Sequence, residues 1–216
     1  MGNIYTAIGL MSGTSMDGVD ASIIQSNGED EFKVVYNEHF DYKNDLFNSL
    51  VDLREKITSF EDLKKLKAEI ISLEKNITFF NAKVIEDIIH KSNKEVDIIG
   101  FHGQTIYHSS EEKITRQLGN GYLLSQLLKK KIIFNFREND MKNGGEGAPL
   151  TPIFHKLLIK KLSKVKKINL PLQVLNIGGI SNITLIKDNF EIESKDIGPG
   201  NCLIDEWIRK KSTKNF

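Results

Sequence analysis

Cysteine is almost missing from this chain. Cys202 stands alone among 216 residues, so no disulfide can form within the chain, and the composition fits a reducing compartment. An excess of either charge is missing too: 30 Lys and Arg against 29 Asp and Glu leave a net charge of +1. Bulk charge therefore nominates neither nucleic acid nor a membrane surface as a partner. No apolar run approaches the roughly 18 to 20 residues of a membrane span. The first residues also lack a basic stretch followed by an apolar one, the mark of a secretory leader. The expectation is a soluble, cytoplasmic protein. Hydrophobic residues make up 39%, which suffices for one large domain or two small ones.

What is present is a concentrated polar turn near the start. Residues 8–20 read Ile-Gly-Leu-Met-Ser-Gly-Thr-Ser-Met-Asp-Gly-Val-Asp. Ile4, Ala7, Ile8 and Leu10 lead in and the alternating Val19 to Ile24 leads out, which predicts strand, tight turn, strand. Gly9, Gly13 and Gly18 fall where the backbone must bend or be approached closely. Ser12, Thr14 and Ser15 add hydroxyls to a loop whose amides can converge on an anion. Asp17 and Asp20 cannot bind phosphate directly but can hold a hydrated Mg²⁺ that does. No Gly-Lys-Ser/Thr follows, so this is not a Walker A loop. By composition alone, a β-hairpin with a polar tip is favoured.

Phe32 to Phe40 reads as a third strand after the turn Asn27-Gly28-Glu29-Asp30, giving an antiparallel meander. Asp45 to Arg54 and Phe60 to His90 are helical by period, with Leu63, Leu66, Ile70, Leu73, Ile77 and Phe80 on one stripe. Val96 to Phe101 is a short strand that delivers His102-Gly103-Gln104-Thr105 at its C-terminal end, where open α/β sheets place ligands. Two readings of His102 stand side by side, a hydrogen-bonded structural residue or part of a polar, sugar-facing turn. Gly119 to Lys130 is predicted as a helix and Lys131 to Phe136 as a fifth strand. Arg137 and Asp140 then sit at that strand's end, before Gly144-Gly145-Glu146-Gly147-Ala148-Pro149-Leu150. Three glycines so close together are costly backbone unless something approaches them; the other reading is a flexible interdomain loop.

Thr151 to Lys167 is an amphipathic helix whose later lysines read as a solvated face, not a nucleic-acid patch. From Leu172 the opening pattern is echoed: Gln173 to Ile177, Gly178-Gly179, then Ile180 to Ile186. Asp196-Ile197-Gly198-Pro199-Gly200-Asn201 is predicted to open a helix, Cys202 to Lys211, whose amide-rich start can accept anionic or hydroxyl groups.

Four of these segments, in this order, resemble the signatures of the anhydro-N-acetylmuramic acid kinase family: residues 8–20, 136–150, 176–184 and 196–201. That family belongs with the sugar kinases, actin and the heat-shock chaperone ATPases. The resemblance implies an α/β fold, a ribonuclease-H-like lobe with a mixed five-stranded sheet and helices at residues 1–165. An incomplete second lobe of the same type is implied at 166–216. It also implies an ATP-dependent kinase that opens the bridge of 1,6-anhydro-N-acetylmuramic acid with water and phosphorylates O6, in reuse of cell-wall sugar. Asp140 takes the family's position of catalytic base. Gly13, Thr14, Ser15, Met16, Asp17, Gly18, Val19 and Asp20, with Gly178, Gly179 and Asn182, take the nucleotide-phosphate positions, and Asp17 is the holder of Mg²⁺. His102, Gln104, Thr105 and Arg137 are candidate sugar contacts. A homodimer is implied as well. Glu146 stands where the family usually has Gln, which leaves that position's role open.

Two rivals are weighed against this reading. Nothing in the motifs reads the lactyl and N-acetyl groups, so a kinase of another anhydrosugar such as levoglucosan fits equally. A non-catalytic sugar- or nucleotide-binding module is the other; loss of Asp140 would have favoured it, and Asp140 is present. The chaperone and actin branch lacks the sugar-side motifs. Because family members are much longer, the 216 residues by themselves are expected to bind ATP weakly and not to turn over.

Overall fold

The computed structural model describes residues 3–212. The chain forms an α/β structure of two compact units. One runs through Asn27 and from Phe32 to Gly147; the other takes Gly28–Glu31 and the chain from Ala148 onward.

In the first unit, β1 (Tyr5–Met11), β2 (Gly18–Ser26) and β3 (Phe32–Asp41) form the expected meander. Period-2 alternation makes it: Ile8 and Leu10 of β1 and Val19, Ala21 and Ile23 of β2 are buried on one face, while the intervening residues take the other. Three helices follow: α1 (Asn44–Lys56), α2 (Phe60–Lys65) and α3 (Lys67–Ser92). Sequence period predicts one helix from Phe60 to His90; the backbone breaks at Leu66, with φ −93° and ψ 14°. Ser59 and Asp62 form a capping box at the start of α2, which fixes that short helix separately. The stripe of α3 (Ile70, Leu73, Ile77, Ile85, Ile88) is buried with Leu50 and Leu53 of α1 in the core beneath the sheet. Each such side chain contributes about 1.5–3 kcal/mol of apolar burial.

The chain then returns through β4 (Ile98–Phe101), which lies parallel to β1 with Ile8 opposite Ile99. Beyond it β5 (Gln104–Ser109) and β6 (Ile114–Leu118) make a separate two-stranded hairpin that sequence pattern does not predict. Gly103, at φ +73°, makes the turn between β4 and β5, and a Cβ there would run into the Leu118 carbonyl. Next come α4 (Gly121–Leu128), β7 (Ile132–Ile133) and α5 (Phe136–Lys142). The mixed sheet has five strands in the order β3-β2-β1-β4-β7.

The fifth strand is shorter than expected. Only Ile132 and Ile133 pair with β4; Asn135 then turns into the left-handed region at φ 61° and Phe136 starts α5. Arg137 and Asp140 therefore ride on a helix instead of ending a strand.

The second unit contains α6 (Pro152–Ser163), β8 (Leu172–Ile177), β9 (Ile180–Ile186), β10 (Ile192–Pro199) and α7 (Cys202–Lys211). Its three strands are antiparallel in the order β10-β9-β8. By internal contacts α6 groups with this unit. Asp196 to Pro199 do not open α7, as the sequence had implied. They complete β10, where Asp196 pairs with Asn182 and Gly198 with Ser181. No helix among the described residues is long and apolar enough to cross a membrane.

Candidate active site

The loop between β1 and β2 is held from several sides. Ser12 is buried, with its Oγ 3.1 Å from the Tyr42 hydroxyl, and burial pushes that phenol up to about 12. The Tyr42 amide donates to the Asp17 carbonyl at 2.8 Å, and the Met16 amide to the Gly13 carbonyl at 3.4 Å. Met16 adopts φ 60° with its side chain in the core, an uncommon backbone state that burial of a large side chain offsets. Ser15 Oγ donates to Asp17 Oδ1 at 2.8 Å. Thr14 is exposed at the tip, and Gly13 has open space beside it except for Ser15.

The remaining residues of the proposed phosphate loop have other surroundings. Gly18, Val19 and Asp20 belong to β2. Gly18 is small because β3 lies against it: a Cβ would come within 2.9 Å of the Phe40 carbonyl carbon and 2.8 Å of His39 Nε2. Asp20 Oδ1 accepts a hydrogen bond from His39 Nδ1 at 2.9 Å, and Asp41 lies 3.4 Å from Nε2. The Asp20 hydrogen bond, partly opposed by burial, raises the His39 pKa. Asp17 is thus the acid of the loop itself. Among the described residues no cluster of three or more His, Cys, Asp or Glu could enclose a metal ion. A single carboxylate still fits Mg²⁺ of the kind that keeps its waters and is held chiefly by a nucleotide's phosphates.

A second set of residues converges around the loop after α5. His102 is mostly buried, and its Nδ1 lies 2.7 Å from the Gly103 carbonyl. Its Nε2 accepts from Arg137 Nε at 2.8 Å. With an N–H aimed at Nε2, the ring is neutral and carries its own proton on Nδ1. Burial, with Arg137 adding to it, lowers the His102 pKa to about 4. Arg137 Nη1 donates to the Gly147 carbonyl at 2.7 Å, and the Gly147 amide donates to Asp140 Oδ2 at 2.8 Å. Gly147 is therefore gripped at both backbone groups, by the two residues that the sequence singles out on α5. It sits at φ +76°, tight against Met141, so only glycine suits it. Glu146 points outward and is exposed.

Gln104 and Thr105, expected in a sugar-facing turn, lie on β5 instead. Gln104 is fully buried, and its Nε2 donates to the Gly13 carbonyl at 2.9 Å. It thereby ties β5 to the β1–β2 loop across 91 residues of chain. Thr105 Oγ1 accepts from Gln117 Nε2 at 3.3 Å.

In the second unit, Gly178 and Gly179 form the β8–β9 turn. Their carbonyls accept from the amides of Asn201 (2.7 Å) and Gly200 (2.9 Å), which locks the turn to the start of α7. Asn182 is buried, and its Oδ1 has no hydrogen-bond partner among the described residues. An unmatched buried acceptor of this kind is expensive unless a ligand or water supplies the donor.

Sequence reasoning missed Tyr42 and His39, and the two-sided role of Gly147; it placed the Ser12 hydroxyl toward an anion, whereas that hydroxyl is buried against Tyr42. The glycine string around Gly147 was visible; which glycine carries the hydrogen bonds was not.

A mixed sheet whose first hairpin ends in a Gly/Ser/Thr/Asp loop, together with a second glycine loop held by an Arg and an Asp, is consistent with a lobe of the sugar-kinase type. The family model described as anhydro-N-acetylmuramic acid kinase matches residues 5–216. A protein of Pelagibacter ubique (strain HTCC1062) named anhydro-N-acetylmuramic acid kinase is 52% identical over 218 residues, covering 100% of this chain and 57% of the relative. Proteins with the same name are 36% identical in Agrobacterium fabrum (100% of this chain, 58% of the relative) and 38% in Zymomonas mobilis (97% and 58%). The chain belongs to the anhydro-N-acetylmuramic acid kinase family. It spans somewhat over half the length of these curated relatives.

Proposed function

We propose that this chain supplies the catalytic base and phosphate loops of a kinase that converts 1,6-anhydro-N-acetylmuramic acid, ATP and water to N-acetylmuramic acid 6-phosphate and ADP. The observation that carries the reading is the hydrogen-bonded run His102–Arg137–Gly147–Asp140, in a chain that matches the family over residues 5–216. Asp140 takes a proton from a water that attacks the anomeric carbon. The bond from that carbon to O6 breaks, and O6 leaves with its electron pair and attacks the γ-phosphorus, releasing ADP. Such transfer needs positioning and charge neutralisation more than covalent help. An ionised carboxylate suits the first step. Asp140 Oδ2 already accepts the Gly147 N–H, which fixes the carboxylate's orientation, and Oδ1 remains for the water.

Residues 13–17 would face the phosphates of ATP, with Gly18, Val19 and Asp20 holding that loop's exit. Asp17 would hold Mg²⁺, which neutralises charge on the phosphates. Gly178, Gly179 and Asn182 are assigned to a second phosphate contact, made through N–H donors, while the unmatched acceptor Asn182 Oδ1 would take a donor from water or a sugar hydroxyl. His102 and Arg137 would line the sugar, with Thr105 near them and Gln104 behind. In this reading residues 1–165 are a ribonuclease-H-like lobe and 166–216 part of a second, in a cytoplasmic homodimer.

The test is sugar-dependent ADP release in H₂¹⁸O, by a protein of full family length containing this sequence. Turnover of the anhydromuramic sugar with one ¹⁸O on the anomeric carbon is expected. Preference for levoglucosan would move the substrate assignment, and label in the phosphate would overturn the order of steps.

A further inference from the structure

We infer that Gly145 is a positioning residue for Asp140, an inference that rests on the reading of Asp140 as the base. Of the glycines at 144, 145 and 147, two adopt left-handed backbone, Gly144 at φ +94° and Gly147 at φ +76°. Gly145 does not; its φ lies where any residue can go. Conformational need therefore does not explain a glycine at this position. Space does. A Cβ on Gly145 would lie 2.5 Å from Asp140 Cγ and 2.7 Å from Oδ1, with Oδ2 closer still, and no other group stands among its three nearest atoms.

The carboxylate is packed onto this bare backbone. The Gly145 amide donates to the Asp140 carbonyl at 2.9 Å, which brings the loop back over the end of α5. The Gly147 amide then holds Oδ2. The side chain of Asp140 is thus confined between one hydrogen bond and one missing methyl. A side chain at 145 would break that arrangement by turning the carboxylate away from the Gly147 amide. A shift of about 1 Å at a reacting group can cost on the order of 10² in rate.

The two consequences have separate tests. In the protein of full family length, Gly145→Ala should lower kcat about 10²-fold while the KM for ATP changes less than about twofold, because the nucleotide loops are elsewhere. In the 216-residue chain, Gly145→Ala should lower Tm by at least about 4 °C. In an Asp140→Ala background the same substitution should leave Tm unchanged or raise it, since alanine narrows the unfolded ensemble where its backbone fits. If Gly145→Ala alone does not fold and the double variant does, the steric coupling is supported. Equal destabilisation in both backgrounds, or failure of both to fold, overturns it, as does a Gly145→Ala enzyme with native kcat. Should Asp140→Asn keep its activity, the base assignment falls while the coupling in Tm still stands or fails independently.

Discussion

Replacing Asp140 by Asn separates the chemistry of this carboxylate from its structural duty. The side chain keeps its shape, and the Asn Oδ1 can accept the Gly147 amide hydrogen bond that Asp140 Oδ2 now accepts at 2.8 Å. What is lost is the charge. A charge-assisted hydrogen bond exceeds a neutral one by about 1 kcal/mol, which for a chain of this size lowers Tm by roughly 2–4 °C. Turnover should fall far more, since a positioned general base contributes ~10²–10⁴-fold. Asp140→Ala is the contrasting variant. It leaves the buried Gly147 amide without an acceptor and should cost about 1–3 kcal/mol in stability. The assays are steady-state ADP release with the anhydrosugar, nucleotide binding by calorimetry and thermal unfolding of both variants. An Asp140→Asn enzyme that retains more than about a tenth of native kcat would refute the role of Asp140 as base.

Three further outcomes are expected. His102, lowered to about 4 in the fold against about 6.5 unfolded, binds its proton only in the unfolded chain between those values. Its contribution is therefore complete above pH 6.5 and is lost as pH falls toward 4, by up to about 3 kcal/mol; urea unfolding at several pH values should show this slope, and His102→Gln should remove it. Glu146→Gln, which deletes an exposed negative charge from the glycine loop, should be tolerated with kcat near native; a loss of activity would give that charge a role of its own. Gly18→Ala drives a Cβ into the Phe40 carbonyl and should destabilise by about 1–3 kcal/mol, seen as a lower denaturant midpoint; an unchanged midpoint would mean that β3 yields freely there.

The opening hairpin was legible because its alternation, its glycines and its turn residues agree. The stripe of α3 was legible for the same reason, though the break at Leu66 was not, since apolar spacing runs on across it. The β5–β6 hairpin escaped notice because Gln104, fully buried, is polar and breaks the pattern of a half-buried strand. The helix α5 is seven residues long, too short to show a period, and β7 gives only two residues to the sheet. Asp140 and Arg137 were singled out by motif resemblance. Their meeting at Gly147, and the link from Arg137 to a histidine 35 residues earlier, depend on tertiary packing that no local pattern encodes.

The parallel pairing of β1 with β4 sets an order of events during synthesis. Ile8 must wait for Ile99, its partner in register, and ribosomes add about 5–20 residues per second. Between the end of β2 and the start of β4, roughly 4–14 s at that rate, one side of β1 has its partner β2 while the other offers unpaired amides and carbonyls. Such an edge invites pairing with other chains. The helix α3 precedes β4 in the chain, so its apolar stripe is available to the growing sheet before that edge is closed.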